Sequence, residues 1–190
     1  MKEQELLTTI HLMERLKDAT RHCYTSGGRH ESVAEHSWRM TLMAYFVSDM
    51  FPQADMNKVI RMCLIHDIGE CFTGDIPTFL KTEQDEKKEE NLLFDLIKTL
   101  QPPFCDEMHL LYEEMKARET LEAKIYKAMD SLEAVIQHNE SDIQTWAENE
   151  YDLNMTYAYD KVAFSEYLTS FRDLVKEETI HKIEEAQERK

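Results

Sequence analysis

His66, Asp67, Glu70 and Asp75 place one imidazole and three carboxylates within ten residues, in the run Ile65-His66-Asp67-Ile68-Gly69-Glu70 and its continuation Gly74-Asp75-Ile76-Pro77. Side chains of these types hold metal ions or move protons, and packing alone does not call for them in an otherwise apolar helix. On a helix His66 and Glu70 are four apart and Asp67 and Glu70 three apart, so all three address one side. Two more residues, His36 and Asp130, fall near the apolar stripes of other expected helices. Imidazole nitrogens with carboxylate oxygens form a borderline-hard set suited to Mn, Fe, Co, Ni or Zn. Two neutral histidines and two carboxylates bring a dication close to neutrality and leave positions open for water and substrate.

Several elements must position these groups. Leu6, Leu7, Ile10, Met13 and Leu16 predict an amphipathic helix over residues 4 to 18. Residues 19 to 31, with Arg21, His22, Gly27, Gly28, Arg29 and His30, read as a polar loop. Ser32-Val33-Ala34-Glu35 is a capping box; it opens a helix to about Met50, with His36 at one end of the stripe Met40, Met43, Val47 and Met50. Taken alone, His36 reads first as a hydrogen-bonded core histidine, with a metal ligand as the alternative.

Asp55 caps the next helix, expected to run unbroken to about Cys71 or Phe72, with Gly74 and Pro77 ending it. The charged run from Lys81 precedes Leu92, Leu93, Leu96, Ile97 and Leu100 and reads as a solvated face without function. A helix follows Gln101-Pro102-Pro103. Another spans Thr120 to Gln137, where Asp130 is either a surface carboxylate paired with Lys127 or an oxygen ligand. Beyond residue 141, Trp146, Tyr151, Tyr157 and Tyr159 precede a last amphipathic helix and suggest a lid, packing or a dimer surface, and the final ten charged residues are expected to fray.

Composition sets the outer limits. At 190 residues the chain suits one domain, and 4 Gly with 4 Pro leave few turns for many short strands, so the expected fold is all-α, a single compact helical domain over residues 1–190. A formal net charge of −16 excludes a protein that grips polymeric nucleic acid or an anionic membrane. A small anionic substrate remains compatible if local positive charge or a bound cation offsets the field. The four cysteines form no CxxC pair and are expected as free thiols. The acid-bearing N-terminal stretch lacks a signal-peptide core, and no run approaches the roughly 20 apolar residues of a membrane span, so the expected location is cytoplasmic.

An isolated His, a His-Asp pair and a distant Asp make this chain resemble the HD-domain phosphohydrolases, and within them the branch containing the bacterial 5'-deoxynucleotidase. The resemblance is carried by Leu16-Lys17 with Arg21, by Glu31-Ser32-Val33-Ala34-Glu35-His36-Ser37, by His66-Asp67-Ile68-Gly69-Glu70 with Gly74-Asp75-Ile76-Pro77, and by Lys127-Ala128-Met129-Asp130-Ser131-Leu132-Glu133. These blocks span about residues 16 to 137, leaving 141 to 190 as a helical extension. The resemblance implies an all-α fold and one divalent metal ion per chain, held by His36, His66, Asp67 and Asp130. It implies Glu70 and Asp75 as acid/base carboxylates and Arg21 as a phosphate contact, with His22, Arg29 and Lys81 as further substrate-side groups. Where that branch has a Trp after the arginine, this chain has His22, a departure that falls on the sugar pocket rather than on the metal chemistry.

The implied activity is hydrolysis of (deoxy)ribonucleoside 5'-monophosphates to nucleoside and phosphate, with a homodimer as the implied assembly. Two other readings stand beside it. One is an HD hydrolase for cyclic, tri- or tetraphosphorylated nucleotides, although only His109 lies between Asp67 and Asp130 to serve a dinuclear site. The other is a metal-dependent nucleotide-binding module without turnover, which would need neither Glu70 nor Asp75.

Overall fold

Apolar residues at helical spacing and a scarcity of turn formers give a chain that is helical over most of its length. The computed structural model describes residues 1–188. The chain begins with α1 (Glu3–Met13) and a 3-10 turn (Glu14–Lys17), then an antiparallel hairpin of β1 (Thr20–Tyr24) and β2 (His30–Ser32). The helices α2 (Val33–Phe46), α3 (Met56–Ile65), α4 (Glu70–Thr73), α5 (Glu83–Thr99), α6 (Phe104–Ala117) and α7 (Leu121–Glu140) follow. The chain ends with α8 (Glu148–Thr156), α9 (Tyr159–Val162) and α10 (Glu166–Glu188).

The all-α expectation holds, with one small exception. Residues 19 to 31 are not a free loop: β1 and β2 pair, Thr20 opposite Ser32 and Tyr24 opposite His30, with a register irregularity between. Gly28 adopts φ +82° in the turn that joins them, a conformation that a side chain disfavours. Alternation along β1 sends successive side chains to opposite faces, which short polar segments conceal from a periodicity argument.

The core lies among α2, α3 and α7. Met40 and Ala44 of α2 meet Val59, Met62 and Cys63 of α3 and Ile125, Ala128, Met129 and Leu132 of α7, all fully buried. Leu93 and Ile97 of α5, with Leu111, Tyr112 and Met115 of α6, extend that cluster. α10 packs along α7, α8 and α9, burying Leu168 and Val175. All four cysteines are free thiols. Among the described residues no helix is long and apolar enough to cross a membrane.

The expected helix of residues 55 to 72 is interrupted. α3 ends at Ile65, and His66 to Gly69 form tight turns in which Ile68 N–H donates to Ile65 O (3.1 Å) and Glu70 N–H to Asp67 O (3.0 Å). The Tyr112 hydroxyl also donates to Ile65 O, so a residue of α6 anchors the break. Gly69 faces Glu89, where an added Cβ would come 2.9 Å from Cγ. His66 and Asp67 therefore sit at a helix end rather than inside a helix.

Three other expectations are corrected. α2 ends at Phe46, and Met50 is exposed rather than part of the core stripe. α1 forms, but Leu6, Leu7 and Ile10 face outward, because α1 packs on little beyond the 3-10 turn that follows it. The C-terminus does not fray over ten residues: α10 continues to Glu188, and the last two positions of that expectation, 189 and 190, lie outside the described residues.

The capping box is present as expected. Ser32 Oγ accepts the Glu35 N–H (3.2 Å), and the Glu35 carboxylate accepts the Ser32 N–H (2.9 Å). Because His36 lies in the first turn of α2, Ser32→Ala is expected to fray that turn and lower stability by about 1 kcal/mol. Urea denaturation followed by circular dichroism checks this, and an unchanged midpoint would contradict it.

Candidate metal centre and its cleft

His36 from α2, Asp130 from α7, and His66 and Asp67 from the turn after α3 converge. His66 Nδ1 lies 2.9 Å from the carbonyl oxygen of Cys63. A carbonyl only accepts, so Nδ1 carries the proton and Nε2 presents a lone pair. His36 is held the same way from behind: its Nδ1 contacts the fully buried Glu133 carboxylate. The two Nε2 atoms then face each other at 3.3 Å.

Carboxylates complete the group. His66 Nε2 is 2.9 Å from Asp67 Oδ2 and 3.8 Å from Asp130 Oδ1, while His36 Nε2 is 3.2 Å from Asp130 Oδ1 and 3.9 Å from Asp67 Oδ2. Metal–ligand bonds of about 2.0–2.2 Å place neighbouring ligand atoms about 3.0–3.6 Å apart in tetrahedral or octahedral geometry. The observed separations scatter around that range. Two imidazole nitrogens this close beside two carboxylates need a positive charge among them, which a proton on His36 Nε2 supplies in the absence of an ion and a divalent cation supplies in its place. The donors therefore fit a divalent cation.

The charges surrounding the centre keep its carboxylates ionised. Burial opposes ionisation of Asp130, but Lys127, with Nζ 2.5 Å from Oδ2, and the nearby His36 hold its pKa well below the usual range. Burial likewise works against Asp67, and His66 outweighs it, lowering the pKa. Burial and Arg21 act to lower the pKa of His36, yet Glu133 and Asp130 raise it to about 9. One Asp130 oxygen pairs with Lys127 and the other faces the histidines, so the two arrangements that the sequence left open do not exclude each other.

A cleft opens beside these residues. Glu70 and Asp75 line it, with Arg21, His22 and Lys81. Glu70 is 5% exposed. Burial, then the Asp67, Asp75 and Glu89 carboxylates, push its pKa up to about 10, so it holds a proton near neutrality when no cation is bound. Asp75 is also raised, chiefly by burial, with Arg21 opposing. Lys81 Nζ sits 2.8 Å from Glu89 Oε2. The charged run of α5 is therefore not a uniformly solvated face, because Glu89 reaches the cleft wall.

Arg21 and Arg29 separate. Arg21 lines the cleft, but its Nη1 is engaged by Glu31 and Glu133, each at 3.0 Å. Arg29 is not brought to the site: 62% exposed on the hairpin, it forks onto Glu35 at 2.8 and 2.5 Å. The capping box explains this, since Glu35 at the start of α2 attracts the nearest hairpin cation.

Sequence reasoning missed the far wall of the cleft. His138, Glu150, Asn154 and Tyr157 line it, and Trp146 is buried, its indole N–H donating to His138 O at 3.0 Å. These aromatic residues serve packing and the cleft wall. One signal was readable: Asp130, Ala134 and His138 lie four apart on α7 and so share a face. Glu133 was visible only as part of a motif, because nothing in its spacing reveals that Arg21, Arg39 and His36 all meet on it.

Among known proteins, a family model described as "HD domain" matches residues 13–171. The human protein named "5'-deoxynucleotidase HDDC2" is 30% identical over 141 residues, covering 72% of this chain and 68% of its own. A yeast protein, "5'-deoxynucleotidase YBR242W" of Saccharomyces cerevisiae, is 26% identical over 146 residues, covering 70% of this chain and 58% of its own. Among solved structures, a "predicted metal-dependent phosphohydrolase" from Magnetospirillum magnetotacticum superposes with TM-score 0.79 at 24% identity, covering 94% of this chain and 93% of that one, a likeness of fold. A "conserved hypothetical protein" from Pyrococcus furiosus superposes with TM-score 0.70 at 26% identity, covering 90% of this chain and 99% of that one.

Glu133 carries a heavy share of the site's internal order. Glu133→Ala leaves Arg21 and Arg39 without their buried partner and is expected to destabilise the fold by about 3–5 kcal/mol. Chemical denaturation measures this, and a loss under about 1 kcal/mol would show that the network is dispensable.

Proposed function

The chain belongs to the HD-domain family, and from that premise we propose that it is a metal-dependent phosphomonoesterase that hydrolyses (deoxy)ribonucleoside 5'-monophosphates. The single observation that carries this reading is the pair of opposed imidazole Nε2 atoms, 3.3 Å apart and flanked by Asp67 and Asp130, at the head of a cleft lined by Glu70 and Asp75. In it, His36, His66, Asp67 and Asp130 hold one divalent ion of the Mn, Fe, Co, Ni or Zn type. Relatives named 5'-deoxynucleotidase support the substrate class.

A cation at this position supplies Lewis-acid polarisation of the phosphate and lowers the pKa of a coordinated water. The protein supplies the rest. Glu133 and the Cys63 carbonyl fix the two imidazoles so that each Nε2 faces inward. Glu70, buried beside Asp67, gives or takes a proton according to the local charge: carboxylates favour its neutral form and a cation favours its ionised form. Asp75, at the turn after α4, serves the leaving 5'-oxygen or the sugar hydroxyls. Arg21 and Lys81 supply positive charge to the substrate phosphate, which reconciles a small anion with a net charge of −16.

A reading as a binding module is disfavoured by Glu70, since a buried carboxyl with one oxygen unpartnered among the described residues is costly and adds nothing to a metal cage. The deciding experiment measures phosphate release from a panel of deoxy- and ribonucleoside monophosphates with several divalent metals. Release is expected, with Asp67→Ala losing metal and activity together and Glu70→Ala keeping metal but losing turnover at least ~100-fold. Binding without release from any substrate would sink the enzyme reading, and equal metal loss in both variants would refute the assigned roles.

The proposal also covers organisation: a single domain with a helical extension from about residue 141, acting in the cytoplasm as a homodimer. Outward-facing Leu6, Leu7 and Ile10 of α1 support association between copies. Sedimentation equilibrium is expected to give about twice the 22.5 kDa chain mass; a monomer mass at micromolar concentration would refute it.

A further inference from the structure

His22 of β1, His138 of α7 and Glu150 of α8 form a second gathering of ligand-type side chains along the cleft, apart from the centre described above. One ligand atom from each lies within 4.8 Å of the other two. His22 Nε2 contacts Glu150 Oε1, and His138 Nε2 stands 3.4 Å from the same oxygen. We propose that these three residues form a second divalent-cation site at the far end of the cleft.

The groups are poorly served without an ion. The His138 side chain is only 15% exposed, and its Nδ1 is buried with no partner among the described residues. The 3.4 Å contact of its Nε2 exceeds the roughly 2.7–3.2 Å of a good N–H···O bond. Such an imidazole loses its hydration without recovering it in hydrogen bonds. Glu150 is 1% exposed, and its ion-pair partners among the described residues are these two histidines. A buried carboxylate requires compensating positive charge, and without an ion His22, in contact with Oε1, is its direct partner.

The carboxylate is already oriented. Glu150 Oε2 accepts the Ala147 N–H at 2.6 Å, leaving Oε1 directed at the histidines, the kind of outer hydrogen bond that fixes a metal-binding carboxylate. Two imidazoles and one carboxylate make a three-ligand set suited to Zn, Co or Ni, with a further position open to the cleft. Asp130 and His138 are eight residues apart on α7, about 12 Å along the helix. Cations that share a bridging oxygen lie about 3.5–4 Å apart. The second ion is therefore separate from the first: it ties β1, α7 and α8 into one wall and offers a coordination position to whatever enters that end of the cleft.

The test is a metal count on the full chain, stripped with EDTA and titrated with Co(II), followed by calorimetry and visible absorption. Two equivalents are expected per chain. His22→Ala, at a half-exposed position where the fold should survive and checked by circular dichroism, should fall to one equivalent, as should His138→Gln. Asp67→Ala should also keep one, which separates this site from the HD centre. Saturation of the wild-type protein at one equivalent, or two equivalents retained by either histidine variant, overturns the proposal.

Discussion

Two imidazole nitrogens pointed at each other across 3.3 Å impose the constraint to which the rest of the fold answers. Each ring is fixed from the rear, one by a backbone carbonyl and the other by a buried carboxylate, so both Nε2 atoms stay directed into the gap. The gap between them calls for positive charge, a proton on His36 when no ion is present or a divalent cation in its place. The architecture is arranged to keep that gap open. α2 supplies one imidazole, the turn after α3 the other, and α7 the facing carboxylate, and the fully buried Met40, Met62 and Met129 lock these three helices together.

Holding carboxylates and imidazoles this close would be costly without the charges behind them. Glu133 gathers Arg21, Arg39 and His36 at one buried point, Lys127 takes the outer oxygen of Asp130, and Lys81 pairs with Glu89. The basic residues near the site are therefore already engaged by acids. A net charge of −16 and an anionic substrate are compatible in this arrangement because a dication and a few oriented cations act locally, within a cleft that restricts water. Exposed charges farther away are screened within about 10 Å at ordinary ionic strength.

The C-terminal third is more than an appendage to the metal-binding helices. α8 and α10 pack so that Glu150, Asn154 and Tyr157 close the side of the cleft opposite α4, and Arg172, fully buried, donates to the carbonyls of Asn154 and Tyr157 and so secures that wall. On the other side the loop between α4 and α5 is held by Lys81 and Glu89, and Gly69 leaves room for Glu89 to approach. Both walls are thus fixed by buried or half-buried charge rather than by apolar packing alone.

The sequence by itself determined the class of fold, the capping box at Ser32, and the four side chains that converge, because helix periodicity, cap chemistry and donor type are local properties carried by neighbouring residues. His66, Asp67, Glu70 and Asp75 mark a site by their types and spacing alone. Tertiary structure alone decided where α3 stops, since the Tyr112 hydroxyl of α6 takes the Ile65 carbonyl at the break. It alone removed Arg29 from the cleft, brought His138 and Glu150 to it and set Glu89 against the cleft's Lys81. Charged side chains take their partners from whichever elements pack nearby, and that proximity is fixed by packing between residues as far apart as His36 and Glu133, which no local pattern encodes.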